Sequence, residues 1–226
     1  MKRLKTWAAA AAMLALAGTA QATSMKLVDG GLGVLDSDTQ LEWTANMNLG
    51  GMMNWDAASA WLATLNASHY AGHNDWRLPT LNMRDPSCST EAHGDFRYGY
   101  NCTGGELSHL FITELGNKAY ESVLTQTGDT AEQIANLALF SNVQAEGYWS
   151  GTEYGAGSPA VMSFYTSNSY QYGAYKSYTL YAVAVRSGDV TAAVPEPQSL
   201  AMLLLGLGVV AVARRRRPAL QPVGSA

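Results

Sequence analysis

The chain has 226 residues, 47% of them hydrophobic, and a formal net charge of −4. Half of its 14 Lys and Arg lie in the two ends, so residues 23–194 hold 7 cations against 17 Asp and Glu, a net −10. That surface excludes nucleic acid and disfavours other polyanions, whose binding rests on Lys and Arg, and leaves cations, neutral glycans or basic proteins as partners.

At the N-terminus Lys2, Arg3 and Lys5 precede an unbroken apolar run from Trp7 to Ala17, and Ala20-Gln21-Ala22 fits a small-x-small cleavage site. Residues 1–22 read as a cleaved signal peptide, because a spanning helix needs about 20 apolar residues and this run is shorter. The mature chain then begins at Thr23, and the 172 residues to Val194 suffice for one domain with a core.

Val34-Leu35-Asp36 and Gln40-Leu41-Glu42-Trp43 flank Ser37-Asp38-Thr39, which predicts a β-hairpin whose acidic residues serve the turn. Asn54 is placed to cap a helix from Trp55 to Leu65, with Trp55, Ala58, Trp61, Leu62 and Leu65 on one apolar face. Trp76-Arg77-Leu78-Pro79-Thr80 predicts a short strand ended by proline. A loop projects after it, between Cys88 and Cys102. An exported chain allows these two a disulfide, with free thiols as the alternative; the bridge would close a 15-residue loop worth about 3 kcal/mol.

Thr103-Gly104-Gly105-Glu106 has the spacing of a capping box for a second helix, Glu106 to Leu115, stopped by Gly116. Residues 117–146 are polar and irregular, with a third short helix placed at Ala131 to Phe140. From Tyr148 to Arg186 the composition turns to Tyr, Ser, Gly and Val, with eight of the twelve tyrosines. Tyr148–Ser150, Val161–Tyr165 and Tyr181–Val185 are the predicted strands, and helices followed by an antiparallel sheet make an α+β domain over residues 23–190.

Four histidines, His69, His73, His93 and His109, are the natural metal candidates. His69 and His73 have i, i+4 spacing, but the glycine and polar residues around them make a loop, so no metal or other cofactor is expected. Glu106-Leu107-Ser108-His109 is a single Glu-x-x-His, where a di-iron bundle needs two. Glu153 near Trp149 lacks a second carboxylate of known separation, and no Gly-x-Ser-x-Gly elbow is present. The expectation is a non-enzyme, against the alternative of an exported enzyme with an unrecognised site, for example one acting on polysaccharide. Tyr165, Tyr170, Tyr172 and Tyr175, with Tyr178 beyond them, lie among Ser, Asn, Gln and Gly. They are either a glycan-binding face or simply sheet core and edge.

The C-terminal residues 191–226 form a tripartite signal: Val194-Pro195-Glu196-Pro197, an apolar span at about 199–213, and Arg214, Arg215, Arg216 and Arg217. Its 14 apolar residues from Leu200 to Ala213 would reach only ~21 Å as a helix, against a hydrocarbon core of ~30 Å. The arginines set the cytoplasmic side, which places the domain outside and the Pro-Glu-Pro segment at the outer membrane surface. The two readings are a sorting device cut near that segment and a plain anchor.

Several blocks together resemble the Lcl C-terminal domain family: the hairpin ending in Leu41-Glu42-Trp43, Trp76-Arg77-Leu78-Pro79-Thr80, Tyr148-Trp149-Ser150-Gly151-Thr152-Glu153 and Ala184-Val185-Arg186. The resemblance implies a fold similar to C-type lectin-like and sulfatase-modifying-factor domains, and an adhesive or glycan-binding role at the cell surface. The tail resembles a PEP-CTERM exosortase substrate, with Pro195, Glu196 and Pro197 as the recognition motif. It implies export by the Sec machinery of a Gram-negative bacterium, a transient inner-membrane stage, processing by exosortase, and a final place at the surface or in a matrix of extracellular polysaccharide.

Overall fold

The hairpin forms around its own turn. In the computed structural model, which describes residues 24–91 and 96–189, strands β2 (Gly33–Asp36) and β3 (Leu41–Thr44) pair antiparallel, with Val34 opposite Trp43. The Asp36 carboxylate, almost fully buried, accepts from the Asp38 and Thr39 amides at 2.9 and 3.2 Å and from the Thr39 hydroxyl at 2.6 Å. Those bonds satisfy a buried charge locally and explain why an acid ends the strand. β1 (Met25–Val28) adds to one side of the hairpin.

Helix α1 (Trp55–Ala67) starts where expected, with Asn54 Oδ1 accepting from the Ala57 amide at 2.8 Å. Its apolar face is shared out unequally. Ala58 and Leu65 are buried, whereas Trp55, Trp61 and Leu62 are half-buried along the edges of two apolar clusters.

The second predicted helix spans Glu106–Glu114 and starts at the expected residue, but its cap and pitch differ from expectation. Its first turn, α2 (Glu106–Ser108), is α-helical and the rest, His109–Glu114, is π-helical, so that the Leu115 amide bonds back to the Leu110 carbonyl. Gly105 is the capping residue, and its amide donates to Ser108 Oγ at 3.1 Å. The box from Thr103 to Glu106 does not form, because both residues have other partners. Thr103 bonds Ser87, while Glu106 receives both Arg77 guanidinium nitrogens at 2.6 and 2.7 Å and the Thr80 amide at 2.8 Å. A two-pronged guanidinium contact outweighs one backbone amide. Gly116, at φ +75°, stops the helix as expected. A capping box does open α3 (Ala131–Leu137), where Thr130 and Gln133 exchange bonds at 3.0 and 3.1 Å.

Residues 76–80 make a bridge rather than a strand: Arg77 and Val185 exchange two backbone bonds of 2.9 Å. The Cys88–Cys102 disulfide is formed. The loop that it closes carries a two-residue ribbon, β5 (Thr90–Glu91) with β6 (Arg97–Tyr98), and does not project. It lies against the late sheet, where Gly99 exchanges backbone bonds of 2.8 and 2.9 Å with Gln171. Docking there gives an edge strand partners for backbone groups that would otherwise stay open.

That sheet contains β4 (Met52–Met53), β7 (Gly147–Glu153), β8 (Ala160–Tyr165), β9 (Tyr170–Tyr175) and β10 (Leu180–Tyr181), in the order β4-β10-β7-β8-β9. All pairings are antiparallel except β10 with β7. The predicted strand Tyr181–Val185 is divided between two sheets: β10 ends at Tyr181, and β11 (Val185–Ser187) completes the first sheet beside β3. Ala182, Val183 and Ala184 between them are completely buried. A run buried on every side cannot alternate, so its pattern does not reveal the change of partner. The main core packs both sheets against the π-helix: Phe111 stacks on Phe164 and tilts against Tyr148, with ring centroids 5.5 and 5.3 Å apart.

The fold is α+β, as expected. Among the described residues no helix is long and apolar enough to cross a membrane. The expected signal peptide, the Pro195-Glu196-Pro197 segment, the apolar span with Arg214 to Arg217, and His93 lie outside the described residues.

Candidate functional site

β9 runs along the edge covered by the disulfide loop, and the two elements bring aromatic rings together from distant parts of the chain. Tyr170 and Tyr172 alternate with the fully buried Gln171. The Gln171 side-chain amide donates to the Asn82 carbonyl, in the segment that leads into the loop, at 3.1 Å, and lies 3.8 Å from Cys88 Sγ at the loop's base. On the loop, Phe96, Tyr98 and Tyr100 also recur at every second residue.

The result is a continuous ladder of seven rings, in the order Tyr154, Phe96, Tyr98, Tyr172, Tyr170, Tyr100 and Tyr120. Successive centroids are 4.1 to 6.1 Å apart. Most contacts are tilted or edge-to-face, the arrangement that ring quadrupoles favour. Tyr120 is 76% exposed and Tyr172 46%. At one end the rings border a shallow depression of about 310 Å³ lined by Phe96, Tyr154, Ala160, Tyr172, Gly173 and Tyr175. Gly173 makes room for the Tyr154 ring: a Cβ there would come within 2.4 Å of the Tyr154 hydroxyl. Burial pushes the phenols of Tyr100, Tyr154 and Tyr170 above the ordinary tyrosine value, with neighbouring tyrosines adding to the push. They are therefore neutral at physiological pH, able both to donate and to accept.

Of the four tyrosines picked out in the sequence, Tyr170 and Tyr172 are in the ladder. Tyr175 lines the depression and meets Tyr178 edge-to-face at 5.7 Å. Tyr165 faces Tyr170 across β8 and β9, but its ring packs over Gly147 and joins the apolar cluster around Trp149. Phe96, Tyr98, Tyr100, Tyr120 and Tyr154 were not anticipated. The alternation at 96, 98 and 100 was the available signal.

The remaining candidates are placed elsewhere. Glu153 pairs with Lys176 at 2.7 Å, and the same ammonium lies 4.2 Å from the Trp55 ring centre. Glu106 is held below the usual carboxylate range by Arg77, against the upward push of burial. His109 lies 3.2 Å from Glu114, which holds its imidazole above the ordinary value. His69 sits in the left-handed region at the end of α1, at φ +52°. His73 turns instead to Asp29, at 3.0 Å. Glu42, beside Asp29, is pushed up to about 7 by burial and by that carboxylate, against the pull of Arg186. Arg186 is itself almost buried and grips Glu42, Asp75 and Asp189 at 2.8, 2.6 and 3.4 Å.

The family model of the Lcl C-terminal domain matches residues 33–84, from β2 to the segment before the disulfide loop. The PEP-CTERM protein-sorting motif matches residues 193–217. No curated protein and no solved structure matches the chain. The sorting motif indicates an exported protein recognised and processed by exosortase, and implies a route through the membrane to the cell surface of a Gram-negative bacterium.

Proposed function

We propose that this exported, exosortase-processed protein is a non-catalytic carbohydrate-binding module, and that the aromatic ladder is the surface that meets the glycan. The observation that carries the reading is the ladder's continuity: seven rings from four chain segments in contact along one covered sheet edge. Sugar rings present apolar C–H faces that stack on aromatic rings, while their hydroxyls need donors and acceptors that neutral phenols supply. A row of rings from end to end suits an extended chain rather than a single sugar. The depression, at the lower end of the ~300–1,000 Å³ usual for small-ligand sites, would seat one residue of it. The net −10 of residues 23–194 favours a neutral polysaccharide over a sulfated one.

Retention of the protein on its producer's own exopolysaccharide tests this. Tyr170→Ala combined with Tyr172→Ala is expected to weaken retention about tenfold, from ~0.5–1.5 kcal/mol per stacked ring. Absence of retention, or retention unchanged in the double variant, would refute the reading.

A further inference from the structure

A second constellation lies at the first sheet, in side chains from three separate segments. Asp29 follows β1, Glu42 is in β3, and His73 lies in the loop after α1. One ligand atom of each lies within 4.8 Å of the others. His73 Nε2 is 3.0 Å from Asp29 Oδ2 and 3.9 Å from Glu42 Oε2. Nitrogen and oxygen ligands bound tetrahedrally to zinc at ~2.0–2.1 Å stand about 3.3 Å from one another, so these separations bracket what the ion requires.

The environment of Glu42 points to a ligand independently of that spacing. The residue is only 3% exposed; its Oε2 accepts from Arg186 Nη1 at 2.8 Å, but its Oε1 is buried and receives no hydrogen bond. A buried carboxylate oxygen without a donor bears its full desolvation cost. Space is kept for that oxygen by Gly33, where a Cβ would lie 2.3 Å away. Charge is also out of balance. Arg186 faces Glu42, Asp75 and Asp189, and Asp29 stands beyond them beside His73. Three carboxyl groups on one guanidinium, with a fourth beside His73, leave an excess of acidic groups that a divalent cation would offset.

We propose that Asp29, Glu42 and His73 form a zinc-binding site, with the fourth position open to water through the exposed Asp29. The mixed imidazole and carboxylate donors suit zinc better than calcium, which takes six to eight oxygens. Arg186 would keep its hold on the Glu42 carboxylate while that group also meets the ion, and Asp189, 3.9 Å from His73 Nδ1, stands where an outer carboxylate orients a metal-bound imidazole. The other two clusters of this kind among the described residues differ. Cys88 and Cys102 are joined to each other, and around His109 the oxygens of Asp36 and the Glu114 Oε2 already accept hydrogen bonds from protein groups.

Zinc alone, titrated into the metal-stripped protein recovered from its host and followed by calorimetry and by the thermal midpoint, tests the assignment. One saturable site per chain and a raised midpoint are expected. Asp29→Asn and His73→Ala, both at the accessible side of the cluster, should each weaken binding at least about tenfold, the least that loss of even a supporting partner costs. His69→Ala and His109→Gln should leave it unchanged. The assignment is overturned if binding does not saturate, if both cluster variants bind as the parent does, or if His109→Gln is the variant that loses the ion.

Discussion

His109 and Glu114 show how a single contact sets a pH response. Glu114 is held below the ordinary carboxylate value of 4.5 by His109, and His109 above its ordinary 6.5 by Glu114, with the charges of Asp36 and Asp38 adding to the effect. A raised histidine value contributes stability that is complete below 6.5 and disappears as pH rises through the higher folded value. A lowered glutamate value contributes stability present above 4.5 and lost as pH falls through the lower folded value. The pair therefore stabilises fully between 4.5 and 6.5. Urea midpoints of His109→Gln should fall furthest below the parent near pH ~5.5 and converge with it near pH ~9. A constant gap across that range would assign the residue a packing role instead. The sequence had offered His109 as a metal candidate and as the histidine of a lone Glu-x-x-His; its partner is five residues away because the π-helical pitch brings Glu114 round to it.

The disulfide loop is the element on which the proposed binding surface depends. It supplies three of the seven rings, and it is held by the Cys88–Cys102 bridge and by the Gly99–Gln171 backbone pair, with the Gln171 side-chain amide at its base beside Cys88. Closing a 15-residue loop is worth about 3 kcal/mol in the chain-entropy model. Thiol labelling of the non-reduced protein is expected to modify neither cysteine. Replacing both with serine should lower the thermal midpoint and reduce exopolysaccharide retention to that of the Tyr170 and Tyr172 double variant. Full retention without the bridge would show that the loop stays docked by its backbone bonds alone. Both cysteines were evident from the sequence, but the loop's resting place was not. A two-residue ribbon has too short a pattern to name its partner strand.

For the whole molecule, the sorting motif at 193–217 indicates processing by exosortase. The intact mass of protein recovered from the surface or medium of its host should correspond to a C-terminus near Val194 to Pro197. Surface material still carrying Arg214 to Arg217 would mark a plain anchor. This much the sequence determines alone, because export and sorting signals act as linear segments whose charge, length and apolarity are their chemistry. Local order was equally legible: the Asp36 turn and the Asn54 cap form within a few residues of themselves. Tertiary structure decided the rest. It divided the run from Tyr181 to Val185 between two sheets, diverted Glu106 from its helix to Arg77, and gathered Tyr154, the loop aromatics and Tyr120 around β9. It also set His73 beside Asp29 and Glu42 rather than His69. Each of these joins residues far apart in the chain, and burial and pairing across such distances depend on which surfaces meet, which no local periodicity encodes.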